Sequence, residues 1–323
     1  MSLAADARPP LVSEAVLEQA QLTYDLPKGA RLRFLRRGFN DHYLVTAGSA
    51  RFVLRVYLSD KPYLQDAGHF LGEVEALAQL RAQGVSVSAA IARRDGTLLG
   101  LVKDRQGKRY AALFEFADGY ELRGEGWSDG AAHQLGITVA NLHLQADEMQ
   151  LGQHRPTLDE AFLIDCPVAA LQRLLGHGAD FLPQYGERLK RKLAALPGGA
   201  GTQGLIHGDL HLGNVHVNGE QECVLFDFDH AGLGWRAYDL ATVQMDLDDL
   251  RWSAFLRGYQ TLRPLAQSEL DSLPLWAEVR HLWDPGDWFA MWETGAWGQK
   301  GLAEQAKADL LARLEGQAQA APD

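Results

Sequence analysis

The residues best placed to do chemistry lie in positions 205–240, LIHGDLHLGNVHVNGEQECVLFDFDHAGLGWRAYDL. Asp209 follows His207-Gly208, Asn214 comes five residues later, and Asp227-Phe228-Asp229 lies further on. Between them, Val215 and Val217 alternate into Asn218-Gly219, and Val224, Leu225 and Phe226 follow. Alternation on both sides of Asn-Gly predicts a two-strand hairpin with a tight turn. A hairpin brings its own ends together, so Asp209, Asn214 and Asp227 are predicted to meet although they span nineteen residues of chain. Three oxygen-bearing side chains at one hairpin mouth suit a hard cation such as Mg2+, which takes one or two carboxylates and leaves its other positions to phosphates and water. Asp and Gly alone favour turns and caps. Their order and spacing are what point to a site.

An Asp, an Asn five residues on, and a second Asp after a hairpin match the phosphoryl-transfer arrangement of protein kinases. On HGDLHLGN (207–214), FDFD (226–229) and Tyr238-Asp239-Leu240-Ala241, the chain resembles the aminoglycoside phosphotransferase family. These small-molecule relatives of protein kinases include choline kinases, a type of homoserine kinase and some bacterial stress-response kinases. The resemblance implies a two-lobed, protein-kinase-like α+β fold. A small β-rich N-terminal lobe over 1–117 would bind nucleotide, and a larger, mainly helical C-terminal lobe over 118–323 would carry catalysis and substrate binding. The implied reaction moves the γ-phosphoryl of ATP to a small-molecule hydroxyl, with Asp209 as base and Mg2+ held by Asn214 and Asp227. Asp229 is expected on the same side of an extended strand as Asp227, touching a second metal or bonding the loop. His207 is expected to brace the loop by packing. For His211, bracing the loop and contacting phosphate stand as equal readings. Asp239 is expected to open and cap a helix.

Upstream lie the elements that would position this block. Residues 11–22 place Val12, Val16, Leu17 and Ala20 near helical spacing. Residues 31–37, 42–47 and 51–58 read as three strands, the third strongly apolar and β-branched. RRGFNDH joins the first two, with a single glycine where a phosphate-covering loop belongs. By the resemblance, the third strand carries a cation for the α- and β-phosphates, and Arg55 holds that position. A guanidinium can chelate phosphate oxygens; the alternative, a solvated strand arginine, is weakened by the flanking Leu54 and Val56. The helix over 70–81 should supply the acid that pairs with it. Glu73 and Glu75 lie about 200° apart around a helix, and Glu73 shares its face with Leu77 and Leu80, so Glu73 is the expected partner. Residues 85–92, 98–103 and 110–116 suggest further strands before Ala117-Asp118-Gly119. The resemblance makes this the hinge that reads adenine through its backbone, which marks Glu115 and Phe116 as nucleotide-binding positions.

Downstream, Leu135, Val139 and Leu142 recur at helical spacing over 127–146, with His143 expected as a buried brace. Helices are expected near 159–175 and 184–195, the second carrying a basic cluster (Arg188, Lys190, Arg191, Lys192) read as a solvated face. Pro197 to Gly201 reads as a loop, and residues 239 to about 314 as helical. Six of the eight tryptophans fall late, at 252, 276, 283, 288, 292 and 297. With Asp284, Asp287 and Glu293 nearby, they either fill the helical core or build an acceptor pocket suited to a cation.

Composition bounds these readings. Lys and Arg total 31 against 42 Asp and Glu, a net charge of −11, which argues against a nucleic-acid partner and mildly favours a cationic substrate, although excess acid also serves solubility. Only Cys166 and Cys223 are present, far apart and without metal-like spacing, so a reducing, cytoplasmic setting is the expectation. No apolar run is long enough for a membrane span, and the first ten residues lack a signal-peptide core. Oligomeric state is not legible. Two rival functions share the motif: a kinase acting on protein Ser/Thr, and a nucleotide-binding protein without catalysis.

Overall fold

The computed structural model describes residues 13–58, 61, 67–104, 107–122, 128–149, 154–196, 202–219, 222–295 and 303–320. Helix α1 (Ser13–Thr23) precedes three antiparallel strands, β1 (Arg31–Arg37), β2 (Asn40–Ala47) and β3 (Ala50–Tyr57). Helix α2 (Ala67–Ala82) and the hairpin of β4 (Gly100–Asp104) and β5 (Gly107–Glu115) follow. The five strands form one sheet in the order β1-β2-β3-β5-β4. The hydrophobic strand 51–58 sits at its centre, paired with β2 on one side and β5 on the other. Val16, Ala20 and Tyr24 of α1 and its exit pack one face, against Tyr43, Val45, Leu54 and Leu113. Residues 85–92 form no named strand; they make isolated bridges, Val87 to Leu225 and Ala90 to Phe114.

Past the hinge, β6 (Tyr120–Glu121) joins β8 (Val215–Val217) and β9 (Cys223–Leu225) in a three-stranded sheet, while β7 (Gln203–Ile206) pairs with β10 (Gly232–Trp235). The helices are α3 (Asp129–Asp147), α4 (Cys166–Leu175), α5 (Leu182–Ala194), α6 (Arg236–Met245), α7 (Asp249–Tyr259), α8 (Gln267–Glu293) and α9 (Glu304–Ala320). Ser128 caps α3 by accepting from the Ala131 amide at 3.2 Å, and Asp248 caps α7 by accepting from Arg251 at 2.9 Å. Helices α3 and α7 cross at backbone contact, since a Cβ on Gly258 would lie 1.9 Å from the His133 carbonyl oxygen. No helix among the described residues is long and apolar enough to cross a membrane.

Several local expectations are corrected. The last strand pair of the hairpin is Val217 with Cys223, so the two strands are not joined by the predicted two-residue Asn218-Gly219 turn, and the Asn218 side chain accepts from the Glu222 amide at 3.0 Å. Phe226 lies beyond the return strand. Asp227 has φ 67° and ψ 56°, and residues 228–230 form a 3-10 turn. Asp227 and Asp229 therefore do not share one side of an extended strand. The helix expected near 159–175 is a π turn over 161–165 followed by α4. The basic cluster is not simply solvated: Arg188 donates to the Ala318 carbonyl at 2.6 Å, and Lys190 pairs with Asp165 at 2.9 Å. Trp276 and Trp283 are core residues, Trp252 and Trp292 are half-buried and Trp288 is exposed. Residues 197–201 and Trp297 lie outside the described residues.

Candidate active site

Central placement in the sheet buries Arg55, and the register puts it beside His42 of β2 and Ala112 of β5. Its Nη1 donates to Glu73 Oε1 at 2.5 Å, and its Nη2 lies 3.0 Å from Asp227 Oδ1. Glu73 comes from the buried face of α2 with Val74, Leu77 and Leu80, and it also accepts from the Tyr57 hydroxyl at 3.0 Å. The other acid considered, Glu75, is exposed. One guanidinium thus ties β3 to α2 and to Asp227, just beyond the β8–β9 hairpin.

Asp227 adopts a left-handed backbone, the only non-glycine to do so among the described residues. That conformation strains an L residue, less so Asp or Asn. The buried Arg155 holds the following turn, donating to the carbonyl oxygens of Phe228 (3.2 Å), Asp229 (2.7 Å) and Ala231 (2.6 Å). Burial alone would raise the Asp227 pKa, but Arg55, His42 and Arg36 outweigh it and hold the carboxyl far below the usual range. Asp229 turns away to pair with the buried Lys61.

Asp209 lies on the loop before β8, and three contacts shape that loop. His207 is fully buried, accepting from the Asp209 amide at 3.3 Å through Nδ1 and meeting the Phe226 carbonyl at 3.0 Å through Nε2. The Asn214 amide nitrogen donates to the Asp209 carbonyl at 2.9 Å, leaving Oδ1 as its remaining acceptor. The Phe226 amide donates to the Asn214 carbonyl at 3.1 Å, which sets Asn214 across from the residue preceding Asp227. Asp239 does not cap its own helix. Its carboxylate accepts from the amides of His207 (2.8 Å) and Gly208 (2.9 Å) and meets His143 Nε2 at 3.2 Å. His143 completes the brace by meeting the Tyr259 hydroxyl at 2.8 Å. His211 Nδ1 accepts from the Gly213 amide at 3.0 Å, and its Nε2 lies 3.8 Å from Asp209 Oδ2.

Sequence reasoning missed Arg280. Its Nη2 donates to Asp209 Oδ1 at 2.5 Å, and its guanidinium lies 4.6 Å from the Trp283 ring centroid. Burial works to raise the Asp209 pKa, but Arg280, with His230 and His211 adding, holds it below the usual carboxylate range. A signal existed: Arg280 falls in step with Trp276 and Trp283 on one helix face, which marks a buried arginine. His230 was missed as well. Its Nδ1 lies 4.0 Å from Asp209 Oδ2, and its Nε2 meets Asp287 at 3.1 Å. Lys61 had no periodic signal.

The two positions expected to read adenine, Glu115 and Phe116, are less open. The Glu115 amide donates to the Ala89 carbonyl at 2.9 Å, its carbonyl accepts from Ser88 Oγ at 2.6 Å, and its carboxylate faces Arg81 at 3.3 Å. The Phe116 ring lies 4.3 Å from the Arg51 guanidinium.

Asn214 and Asp227 offer oxygens suited to a hard divalent ion. Asn214 keeps an oxygen free of its own hydrogen bond, and Asp227 is an ionised carboxylate. Beside Asp209 opens a cavity of about 540 Å3, with Arg280, His211, Asp246, Asp284 and Arg313 in its wall.

A buried cation–acid pair, a hairpin bearing Asn and Asp, and a braced Asp beside a cavity follow the order of parts in the kinase-type phosphoryl-transfer template. The chain belongs to the phosphotransferase enzyme family, whose profile matches residues 31–282. It is therefore a phosphotransferase with an alcohol hydroxyl as acceptor. It is 30% identical to a homoserine kinase of Neisseria meningitidis over 264 residues, covering 78% of this chain and 80% of that one. Among solved structures, it is similar to a microcompartment-associated aminopropanol kinase (TM-score 0.74, 25% identity, 94% of each chain). An amicoumacin kinase in complex with AMP-PNP shares the fold (TM-score 0.77, 21% identity, 96% of this chain and 94% of that one).

Proposed function

We propose that the enzyme transfers the γ-phosphoryl of ATP to the hydroxyl of a small molecule, using Asp209, Asn214, Asp227, Arg55 and Glu73. The acceptor oxygen attacks the γ-phosphorus, the bond from that phosphorus to the β,γ-bridging oxygen breaks, and ADP leaves. Asp209 orients the attacking hydroxyl and takes its proton. A carboxyl held below the ordinary range is a weak base, which suits a loose transition state where the proton leaves late and positioning dominates. Arg55, fixed by Glu73, steadies the α- and β-phosphates. Asn214 and Asp227 would hold Mg2+, which supplies charge neutralisation on the phosphates when bound. The nucleotide-binding lobe would end at residue 117. Glu115 already uses its main-chain groups internally, so adenine reading falls to the backbone from Phe116 onward.

The observation that carries this reading is Arg55 in contact with both Glu73 and Asp227. It joins the phosphate end of the sheet to the metal end of the hairpin. The test is ADP release with ATP and Mg2+ across amino alcohols, hydroxy amino acids, amino sugars and choline, with Asp209→Asn as control. An acceptor-dependent rate lost in Asp209→Asn supports the proposal. Labelling confined to lysate proteins would favour a protein acceptor instead.

A further inference from the structure

The cavity beside Asp209 carries a local charge pattern opposite to that of the whole chain. Three arginines line it, Arg251, Arg280 and Arg313, against two aspartates, Asp246 and Asp284. Two of these five are already engaged with other groups of the protein. Arg251 Nη1 pairs with Asp248 at 2.5 Å, and Asp246 accepts from the Leu212 amide at 2.8 Å. Arg280 is 6% exposed; its Nη2 is on Asp209 and the Tyr238 hydroxyl lies against its guanidinium, while no well-aligned acceptor meets its buried Nη1. Arg313 of α9 is exposed and has no ion-pair partner among the described residues. A buried guanidinium donor without an acceptor is costly, and guanidinium groups with spare donors on one cavity wall are suited to a carboxylate.

We propose that the phosphate acceptor is a small hydroxy amino acid whose carboxylate is held by Arg280 and Arg313, a specificity that rests on the phosphotransferase reading above. Asp284, half-exposed on the same wall and 3.5 Å from Arg280, receives the ammonium. Because Arg280 also holds Asp209, binding the carboxylate at its second nitrogen sets the distance from the acceptor hydroxyl to the base. The chain-wide excess of acid mildly favours a cationic acceptor; the arginines of this wall call for an anionic group as well.

The test uses two matched pairs that differ only by the carboxylate: L-homoserine against 3-amino-1-propanol, and L-threonine against 1-amino-2-propanol. ADP release gives kcat/KM for each with the full-length enzyme, ATP and Mg2+. The carboxylate member should win in at least one pair by about tenfold or more, the scale of one hydrogen bond to a charged group. Arg313→Gln should reduce that ratio by about tenfold; the residue is exposed, and a ratio measured on one protein is insensitive to partial unfolding. Equal or reversed preference would overturn the proposal, as would a ratio unmoved by Arg313→Gln. Turnover of amino sugars with none of the four small acceptors would overturn the acceptor class and leave the phosphotransferase reading standing. No turnover of any acceptor together with no nucleotide binding would sink that reading and this inference with it.

Discussion

Arg55 Nη1 and Glu73 Oε1 meet at 2.5 Å inside the small lobe, where both residues are at least 95% buried. Neither charge has water to fall back on, so the pair is costly to break from one side. Arg55→Met should destabilise the protein by about 3–5 kcal/mol, the cost of an uncompensated buried charge. Chemical denaturation measures this, and a loss below about 1 kcal/mol would contradict the pairing. Arg55→Lys should keep most of the stability but raise the KM for ATP, because an ammonium cannot reach Glu73 and Asp227 with two separate nitrogens.

Asp209→Asn should lower kcat by about two to four orders of magnitude and leave the dissociation constant for ATP nearly unchanged. Quenched-flow or coupled ADP assays give the first quantity and calorimetry the second. Turnover equal to that of the unaltered enzyme would remove Asp209 from the chemistry.

Asn214→Ala and Asp227→Ala should each weaken nucleotide binding in the presence of Mg2+ and have little effect in its absence. Titrations with and without the ion separate the two cases. The same loss in both would mean that these side chains shape the loop rather than hold metal.

His42 gives a pH signature. It is buried in β2 opposite Arg55, and burial, with Arg55 adding, lowers its pKa from 6.5 to about 4. The unfolded chain therefore binds a proton that the folded chain refuses between those values. Stability from this residue is complete above pH 6.5 and is lost as pH falls toward 4, by roughly 3 kcal/mol at most. His42→Gln should flatten part of that slope in denaturation curves taken across the window. His143, His207 and His281 are depressed in the same direction by burial and add to this slope, while His230, which Asp287 raises against burial, works the other way.

Local spacing in the sequence carried the helix face bearing Glu73, the central strand bearing Arg55 and the hairpin linking Asn214 to Asp227. Periodicity and turn chemistry act over a few residues, and each of these features is that short. Arg280 is seventy-one residues from Asp209, on a helix containing two prolines. No short-range rule reports such a pairing. Asp239 was read as a cap because its position near a helix start is local information. Its actual partners, the amides of His207 and Gly208, come from a loop about thirty residues earlier. Asp229 was misplaced for a related reason: the strand rule assumes an extended chain, and the left-handed turn at Asp227 breaks it.

Besides the Arg55–Asp227 pair, the small lobe meets the β8–β9 hairpin at two further places. One is the chain itself at Ala117, whose carbonyl meets His216 Nδ1 at 2.7 Å before β6 pairs with β8. The other is non-covalent: the Ser88 amide donates to the Leu225 carbonyl at 2.9 Å, and the Leu225 amide to the Ser86 carbonyl at 3.0 Å. With Arg55 on Asp227 as a third tie, the hairpin and the residue after it are pinned to the small lobe from three separate segments, β6, residues 86–88 and β3.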